Sequence, residues 1–379
     1  MPDHNNILNR YGRIMVMLFW LASTLIYLSH FGIVTNLEAG KYIEEAERFI
    51  NNGAFSAPRY WFYCITIFIM VIAIKLKIGM AGAFVLQAVL NLFAYLLFYK
   101  ALTKLFTNNI TAFLVIIFLF ACWPYQSWLV FLYTESAFFS LLIILFAILV
   151  LYPPVNGKNV SLICLALSLL MLSRPTGILF AGGVYCYFFY QANKRWKLIL
   201  GLMFFVFLAG SYYAVNAVFT SLKDWTITQA FEQESIICDV PAQPPYARLD
   251  LAQSGTPVYH LWYYLTHNFS HFLHFTAVKL RYFFLMTRNY YSPAHNYFLL
   301  ATALVLYSLG LAGIFIKNTK FSKAVLVFIW VSILLFALAI VFQCDDYHNR
   351  FVLSLFPFFV ILAARALEGW GSLLFKDNK

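Results

Sequence analysis

Fifteen Asp and Glu residues occur in this 379-residue chain, and those with chemistry to do gather in three places. These are the stretch from Glu38 to Glu47, the single Glu135, and the pair Asp345-Asp346. A carboxylate at the edge of an apolar segment is costly in hydrocarbon, so it normally faces a cavity or a partner. A positioned carboxylate can take the proton of a hydroxyl, and Glu38, just ahead of a helical pattern, is the candidate base. The plainer reading of Glu38 is an acid favoured by the helix dipole. Cations provide the other half of such chemistry. A guanidinium fork matches two phosphate oxygens at once, so Arg59, Arg281 and Arg350 are the candidates for holding a phosphate group. Arg174 reads first as a residue pinning two helix ends, and Lys75 and Lys77 as contacts to lipid headgroups.

Apolar elements must position these groups. Hydrophobic residues make up 63% of the chain and charged residues 11%, with a mean hydropathy of +0.77. Soluble domains are roughly half apolar and a quarter charged. The expected fold is all-α and transmembrane, a single domain over 1–379 with about ten crossings, because only helices or closed barrels satisfy the backbone in lipid. The stretch Ile14 to Val34 is too long for a signal-peptide core and reads as a retained first helix. Further spans are expected near 80–99, 110–123, 136–152, 160–172, 176–190, 198–218, 296–316, 324–342 and 351–363. Residues Tyr60 to Ile74 are apolar enough to cross. Counting them as a crossing would put Lys194, Arg195 and Lys197 outside, against the positive-inside rule. If this segment dips in and returns, the inner side holds fourteen basic residues against three acids, which is the whole formal net charge of +11. Both termini are then cytoplasmic, in a plasma or inner membrane. The basic balance reflects topology, and nothing points to nucleic acid.

Two outer loops follow from that topology, 35–79 and 219–295. In the first, Tyr42, Ala46, Phe49 and Ile50 recur at helical spacing with charges opposite, predicting an amphipathic surface helix closed by Asn51-Asn52-Gly53. The second is aromatic-rich and contains His267, His271 and His274 on one helix face. That is metal-ligand spacing, although aromatic surface helices often carry histidines. Arg288, Tyr290 and Tyr291 precede the next span as a polar aromatic cluster that could stack on a sugar, or form an interface belt. The six cysteines have no zinc-like spacing, and Cys238 and Cys344, both on the outer side, could pair in an oxidising compartment.

Four motifs, in order along nearly the whole chain, carry a resemblance. They are Glu38-Ala39-Gly40-Lys41-Tyr42 with Ala46; Tyr133-Thr134-Glu135-Ser136; Ser173-Arg174-Pro175-Thr176-Gly177; and Tyr347-His348-Asn349-Arg350-Phe351 before Pro357. In these the chain resembles the polyprenyl-phosphate-dependent glycosyltransferases of the GT-C fold, of the protein O-mannosyltransferase and aminoarabinose-transferase type, and also the mannosyltransferases of GPI-anchor synthesis. The first acid is usually aspartate there, and the family's Lys-Pro-Pro is replaced by Ala57-Pro58-Arg59. The resemblance implies transfer of a mannose, another hexose or a modified pentose from a polyprenyl phosphate, with inversion, on the extracytoplasmic face. The acceptor would be a glycolipid, a polysaccharide or a protein side chain. Glu38 would be the catalytic base and Glu135 would shape the acceptor side or a metal site. Tyr42, Arg174, Arg288, Tyr291, Asp346 and His348 would contact substrate. A divalent metal held by the acids is compatible with that fold, and no other cofactor is called for. A secondary transporter or a flippase for lipid-linked sugars shares the composition and is the alternative. Transporters place ionisable groups near the bilayer midplane and show repeated halves, whereas these acids cluster at one surface.

Overall fold

A computed structural model describes residues 4–221, 226–238, 240, 248–316, 320–345 and 347–374. Regular structure among them is helical: α1 (His4–Phe31), α2 (Glu38–Asn52), α3 (Cys64–Lys75), α4 (Gly79–Leu105), α5 (Asn109–Ala121), α6 (Trp123–Gln126), α7 (Thr134–Leu151), α8 (Gly157–Met171), α9 (Ile178–Gln191), α10 (Lys194–Ser221), α11 (Gln229–Glu232), α12 (Pro257–His267), α13 (Phe269–Leu285), α14 (Pro293–Phe315), α15 (Lys323–Phe342) and α16 (Arg350–Leu374). Short 3-10 turns cover Pro58–Tyr63, Ser127–Val130, Pro175–Gly177 and Tyr347–Asn349. Among the described residues, eight helical stretches are long and apolar enough to span a bilayer, or nine if the pair Asn109–Ala121 and Trp123–Val130, bent by 72°, counts as one. The chain is therefore an all-α, multi-pass integral membrane protein. Of the ten expected crossings, α8 has 15 residues and α9 has 14. Such helices rise only about 22 Å, short of a hydrocarbon core of about 30 Å.

The chain divides into two compact units: Met1–Val184 with Leu306–Ile329 and Leu353–Lys379, and Tyr185–Val305 with Trp330–Val352. In the first unit α7 is the central helix, buried along nearly its whole length, and α4 lies against it. Polar side chains stitch them together. Trp20 Nε1 donates to Asn91 Oδ1 (2.8 Å), Asn91 Nδ2 to Ser140 Oγ (3.0 Å), and Ser140 Oγ to Ser136 O (2.7 Å). Gln87 Nε2 donates to the carbonyls of Leu129 and Phe131. In hydrocarbon each of these groups must find a protein partner, and here they fix the first turn of α7.

One end of this unit is defined by Val34 pairing with Val130 and Leu132, Tyr133 reaching Asn36 O, and Ile65 N donating to Leu172 O. The opposite end is held by Lys104 Nζ on Val150 O and Lys320 Nζ on Phe106 O, each at 3.0 Å, with Arg365 on Ile316 O at 2.7 Å. There Glu368 Oε1 accepts from Thr107 N, Thr107 Oγ1 and Asn108 N, all at 2.8 Å. The acids of α2 and Glu135 thus lie at the first end, and lysines and arginines predominate at the other.

The stretch Pro58–Lys75 qualifies as a span by length and composition, yet its neighbours show where it runs. Cys64 and Ile65, at the start of α3, touch Leu172 at the acidic end. Helix α4, three residues after α3, still has Gln87 level with Leu129 and Phe131 two turns into its length. Both ends of α3 therefore adjoin the acidic end.

Helix α2 buries Ala39, Tyr42, Glu45 and Ala46 and stops at Gly53, whose φ of 70° is left-handed and suits a residue without Cβ. Glu45, expected on the polar face, is instead 5% exposed. It accepts the Ser56 amide at 2.8 Å and meets Arg48 at 3.6 Å, closing the loop behind α2.

In the second unit, α11, α12 and α13 pack Phe231, Tyr264 and Phe275 into a small apolar core. A Cys238–Cys344 disulfide, Cα atoms 4.9 Å apart, joins the segment after α11 to the end of α15. Backbone hydrogen bonds Asp345 N to Ile236 O and Cys238 N to Asp345 O reinforce it.

Candidate functional site

The two acids of the first unit both open helices. Glu38 is the first residue of α2, behind Leu37, which is 83% exposed and carries a φ of 54° that a leucine rarely adopts. Such local strain is tolerated where the surrounding structure fixes the chain. Glu135 is in the first turn of α7 and is fully buried. The N-terminus of a helix favours a carboxylate through its partial positive charge, so both positions suit an anion.

Their partners differ. Tyr42, one turn along α2, donates its hydroxyl to Glu38 Oε1 at 2.8 Å. Its ring packs on Tyr63 at 5.6 Å. Burial, followed by the nearby carboxylates of Glu38 and Glu135, pushes the Tyr42 phenol well above its usual range, so it remains a protonated donor. Tyr42 lies in the field of both acids. Glu135 instead forms a buried ion pair with Arg174, which is 6% exposed and enters the turn Pro175–Gly177. Arg174 thereby joins α7 to the α8–α9 connection. Gly177 is needed at that turn, since a Cβ there would stand 2.6 Å from the Leu170 carbonyl. Arg59, exposed at the start of the Pro58–Tyr63 turn, stacks on Tyr60 and makes no ion pair among the described residues.

The first unit thus brings together Glu38, Tyr42, Glu135 and Arg174, with Arg59 one short turn from Tyr63. Chemically this is a carboxylate oriented by a phenol beside a second carboxylate neutralised by an arginine. Two acids in such different surroundings are suited to different tasks.

The remaining expected residues belong to the second unit. Arg288 is 1% exposed and pairs with Asp345, itself 2% exposed. It also donates to Tyr282 O at 2.7 Å, and Asn296 brackets its backbone, accepting from Arg288 N and donating to Arg288 O, both at 2.9 Å. His348 and Asn349 each have a φ of 59°. Asn349 Nδ2 ties this bend to Met286 O at 2.7 Å, and the His348 ring stands 6.4 Å from that of Tyr291. Arg350 follows, 8% exposed. Arg281 is exposed. Asp346 lies outside the described residues.

Lys279 was given no role from the sequence, and of the acidic pair Asp345-Asp346 the substrate contact was expected at Asp346. Lys279 is 1% exposed, donates to Val341 O at 3.2 Å, and sits 4.7 Å from the Phe231 and Phe275 ring centres. Burial lowers its pKa to about 8. Its only sequence signal was a cation amid aromatics, which snorkelling to the interface explains equally well. Among the described residues no three His, Cys, Asp or Glu side chains converge as metal ligands. His267 stacks on Tyr263 at 3.7 Å, whereas His271 contacts Tyr264 and Glu234. No family model, curated protein or solved structure matches the chain.

Proposed function

We propose that this protein is a membrane glycosyltransferase that moves one sugar from a polyprenyl phosphate to an acceptor hydroxyl at the extracytoplasmic surface. The observation that carries this reading is the pair of helix-opening carboxylates in the first unit, one hydrogen-bonded by Tyr42 and the other neutralised by Arg174. In the proposed step Glu38 takes the acceptor proton as the acceptor oxygen bonds to the anomeric carbon. The bond from that carbon to the phosphate oxygen breaks on the opposite face, inverting the centre and releasing polyprenyl phosphate. Tyr42 holds the Glu38 carboxylate, and Arg59, whose guanidinium can meet two oxygens at once, is the candidate of this unit for the phosphate. Arg281, Arg288, Tyr291, His348 and Arg350 remain candidates for further substrate contacts.

The segregation of charge supports the orientation, since a lysine- and arginine-rich end belongs in the cytoplasm. In this arrangement α3 is a surface or re-entrant helix, because its 12 residues rise only about 18 Å and both its ends adjoin the acidic end. The acceptor is a glycolipid, a polysaccharide or a protein, and a divalent metal stays compatible with the acids.

One observation favours a flippase or transporter instead. The 72° break between Ala121 and Trp123 interrupts a span, as in transporters whose binding sites lie on discontinuous helices. To separate the two, purified protein in liposomes is incubated with polyprenyl-phosphate sugars and a crude membrane acceptor, beside Glu38→Gln. Release of polyprenyl phosphate that needs both the acceptor and Glu38 supports transfer. Movement of intact donor between leaflets without release overturns it.

A further inference from the structure

Three rings of the second unit come together from two parts of the chain: Tyr290 from the turn before α14, and Tyr347 and His348 from the bend before α16. Their centres stand 6.4 Å (Tyr290 to Tyr347), 6.3 Å (Tyr290 to His348) and 6.5 Å (Tyr347 to His348) apart, a nearly equilateral triangle. Tyr290 is 49% and Tyr347 41% exposed, and His348 is exposed as well. The triangle stands on a fixed base. His348 and Asn349 both hold a φ of 59°, a left-handed conformation that costs free energy and persists where the surroundings impose it. Asn349 Nδ2 bonds Met286 O at 2.7 Å. Arg288, two residues before Tyr290, makes its buried ion pair with Asp345, two residues before Tyr347. Tyr291 backs the triangle, 4.8 Å from Tyr290 and stacked on His295 at 4.3 Å. The flanking Asn289 and Ser292 are exposed polar residues. Tyrosines of an interface belt act ring by ring, whereas here two segments are locked so that three rings keep one mutual geometry. Such pre-organisation lowers the cost of binding a ligand.

We propose that Tyr290, Tyr347 and His348 form a platform that binds a saccharide chain. One face of a pyranose is a patch of C–H groups with partial positive charge, and the face of an aromatic ring is negative, so the two attract. Phenol and imidazole edges offer donors and acceptors to the hydroxyls around that patch. Tyrosine supplies such amphipathic contact area at a low cost in conformational entropy. The triangle is about as wide as one sugar ring, and the chain extends beyond it. Among the acceptors compatible with transfer, the platform selects those that carry saccharide over a bare protein side chain. That role rests on the transfer reading, whereas the binding itself does not.

The test uses the full chain in sugar-free phospholipid nanodiscs, with saturation-transfer NMR titrations of glucose, mannose, galactose and N-acetylglucosamine tetrasaccharides, each free and on an octyl tail. At least one should bind. Tyr290→Ala and Tyr347→Ala should each weaken that binding about 3- to 10-fold, the weight of one ring contact, and the Phe variants, which keep the ring, should retain more of the affinity. Binding of free and tailed chains alike identifies a glycan, and binding of tailed chains only identifies a glycolipid. No binding of any probe, or affinity unchanged in both alanine variants, overturns the proposal and returns these rings to an interface belt. Retained protection of Cys238 and Cys344 from maleimide shows that a variant keeps its fold. If the alanine variants lose that protection, Tyr290→Leu and Tyr347→Leu, which keep bulk without an aromatic face, must show the same weakening or the proposal fails. Release of polyprenyl phosphate is measured on the same samples. Saccharide binding without release removes the transfer reading and leaves the platform, and release without saccharide binding does the reverse.

Discussion

Replacing either member of the Glu135–Arg174 pair should destabilise the protein, and by unequal amounts. Both side chains are buried, so removing one leaves the other as an uncompensated charge, a loss of about 3–5 kcal/mol. Their settings differ, however. Glu135 occupies the first turn of α7, where an anion gains up to ~2 kcal/mol from the helix terminus. Arg174→Met leaves that carboxylate with its helix dipole. Glu135→Gln removes both the dipole interaction and the partner of Arg174. Glu135→Gln should therefore be worse than Arg174→Met by about 1–2 kcal/mol. Glu38 works against this by repelling Glu135 once Arg174 is gone, but it is partly exposed and more strongly screened. The double variant should recover most of the loss. Unfolding by sodium dodecyl sulfate in mixed micelles, followed by tryptophan fluorescence, measures all four proteins. An equal or larger loss for Arg174→Met refutes the dipole argument, and a coupling under about 0.5 kcal/mol refutes the buried pair itself.

Tyr42→Phe keeps the ring contact with Tyr63 and loses the hydrogen bond to Glu38; on the transferase reading, turnover falls by about 10- to 100-fold, the weight of one bond to a charged group, with little change in stability. Lys279 has a folded pKa of about 8, below its unfolded value of 10.5. The unfolded chain therefore binds more protons between these values, and stability should rise across pH 8 to 10.5 by up to ~3 kcal/mol. Lys279→Met should lack this rise, and the difference between wild type and variant in the same unfolding assay isolates it from the opposing titration of buried tyrosines such as Tyr42. The disulfide closes a loop of 106 residues, so Cys238→Ser should lower stability by about 2–5 kcal/mol. Denatured, unreduced protein should expose four maleimide-reactive thiols, and six after reduction.

What was legible in the sequence depended on range. The apolar segments announced a helical membrane protein because length and hydropathy are local properties, and α2 was readable from the spacing of Tyr42, Ala46, Phe49 and Ile50. Pairings across the chain were not readable. Glu135 and Arg174 are 39 positions apart, and Arg288 and Asp345 are 57 apart. No periodicity encodes either contact, so Arg174 read first as a helix-end pin, and as a substrate contact only through the resemblance. The acidic pair after Cys344 offered two candidates. Backbone bridging to Ile236 and Cys238 turns Asp345 toward Arg288, a decision made by residues more than a hundred positions upstream. Glu45 makes the same point within one helix. Its place on the charged face was correct for α2 alone, and the returning loop then buried it by presenting the Ser56 amide. Segments in lipid are under strong local constraint because every backbone group must be satisfied within them. The polar ends of the helices have many possible partners, and there the fold alone selects which acid meets which cation. For this reason Glu38, oriented from within its own helix by Tyr42, is the site assignment least dependent on distant packing.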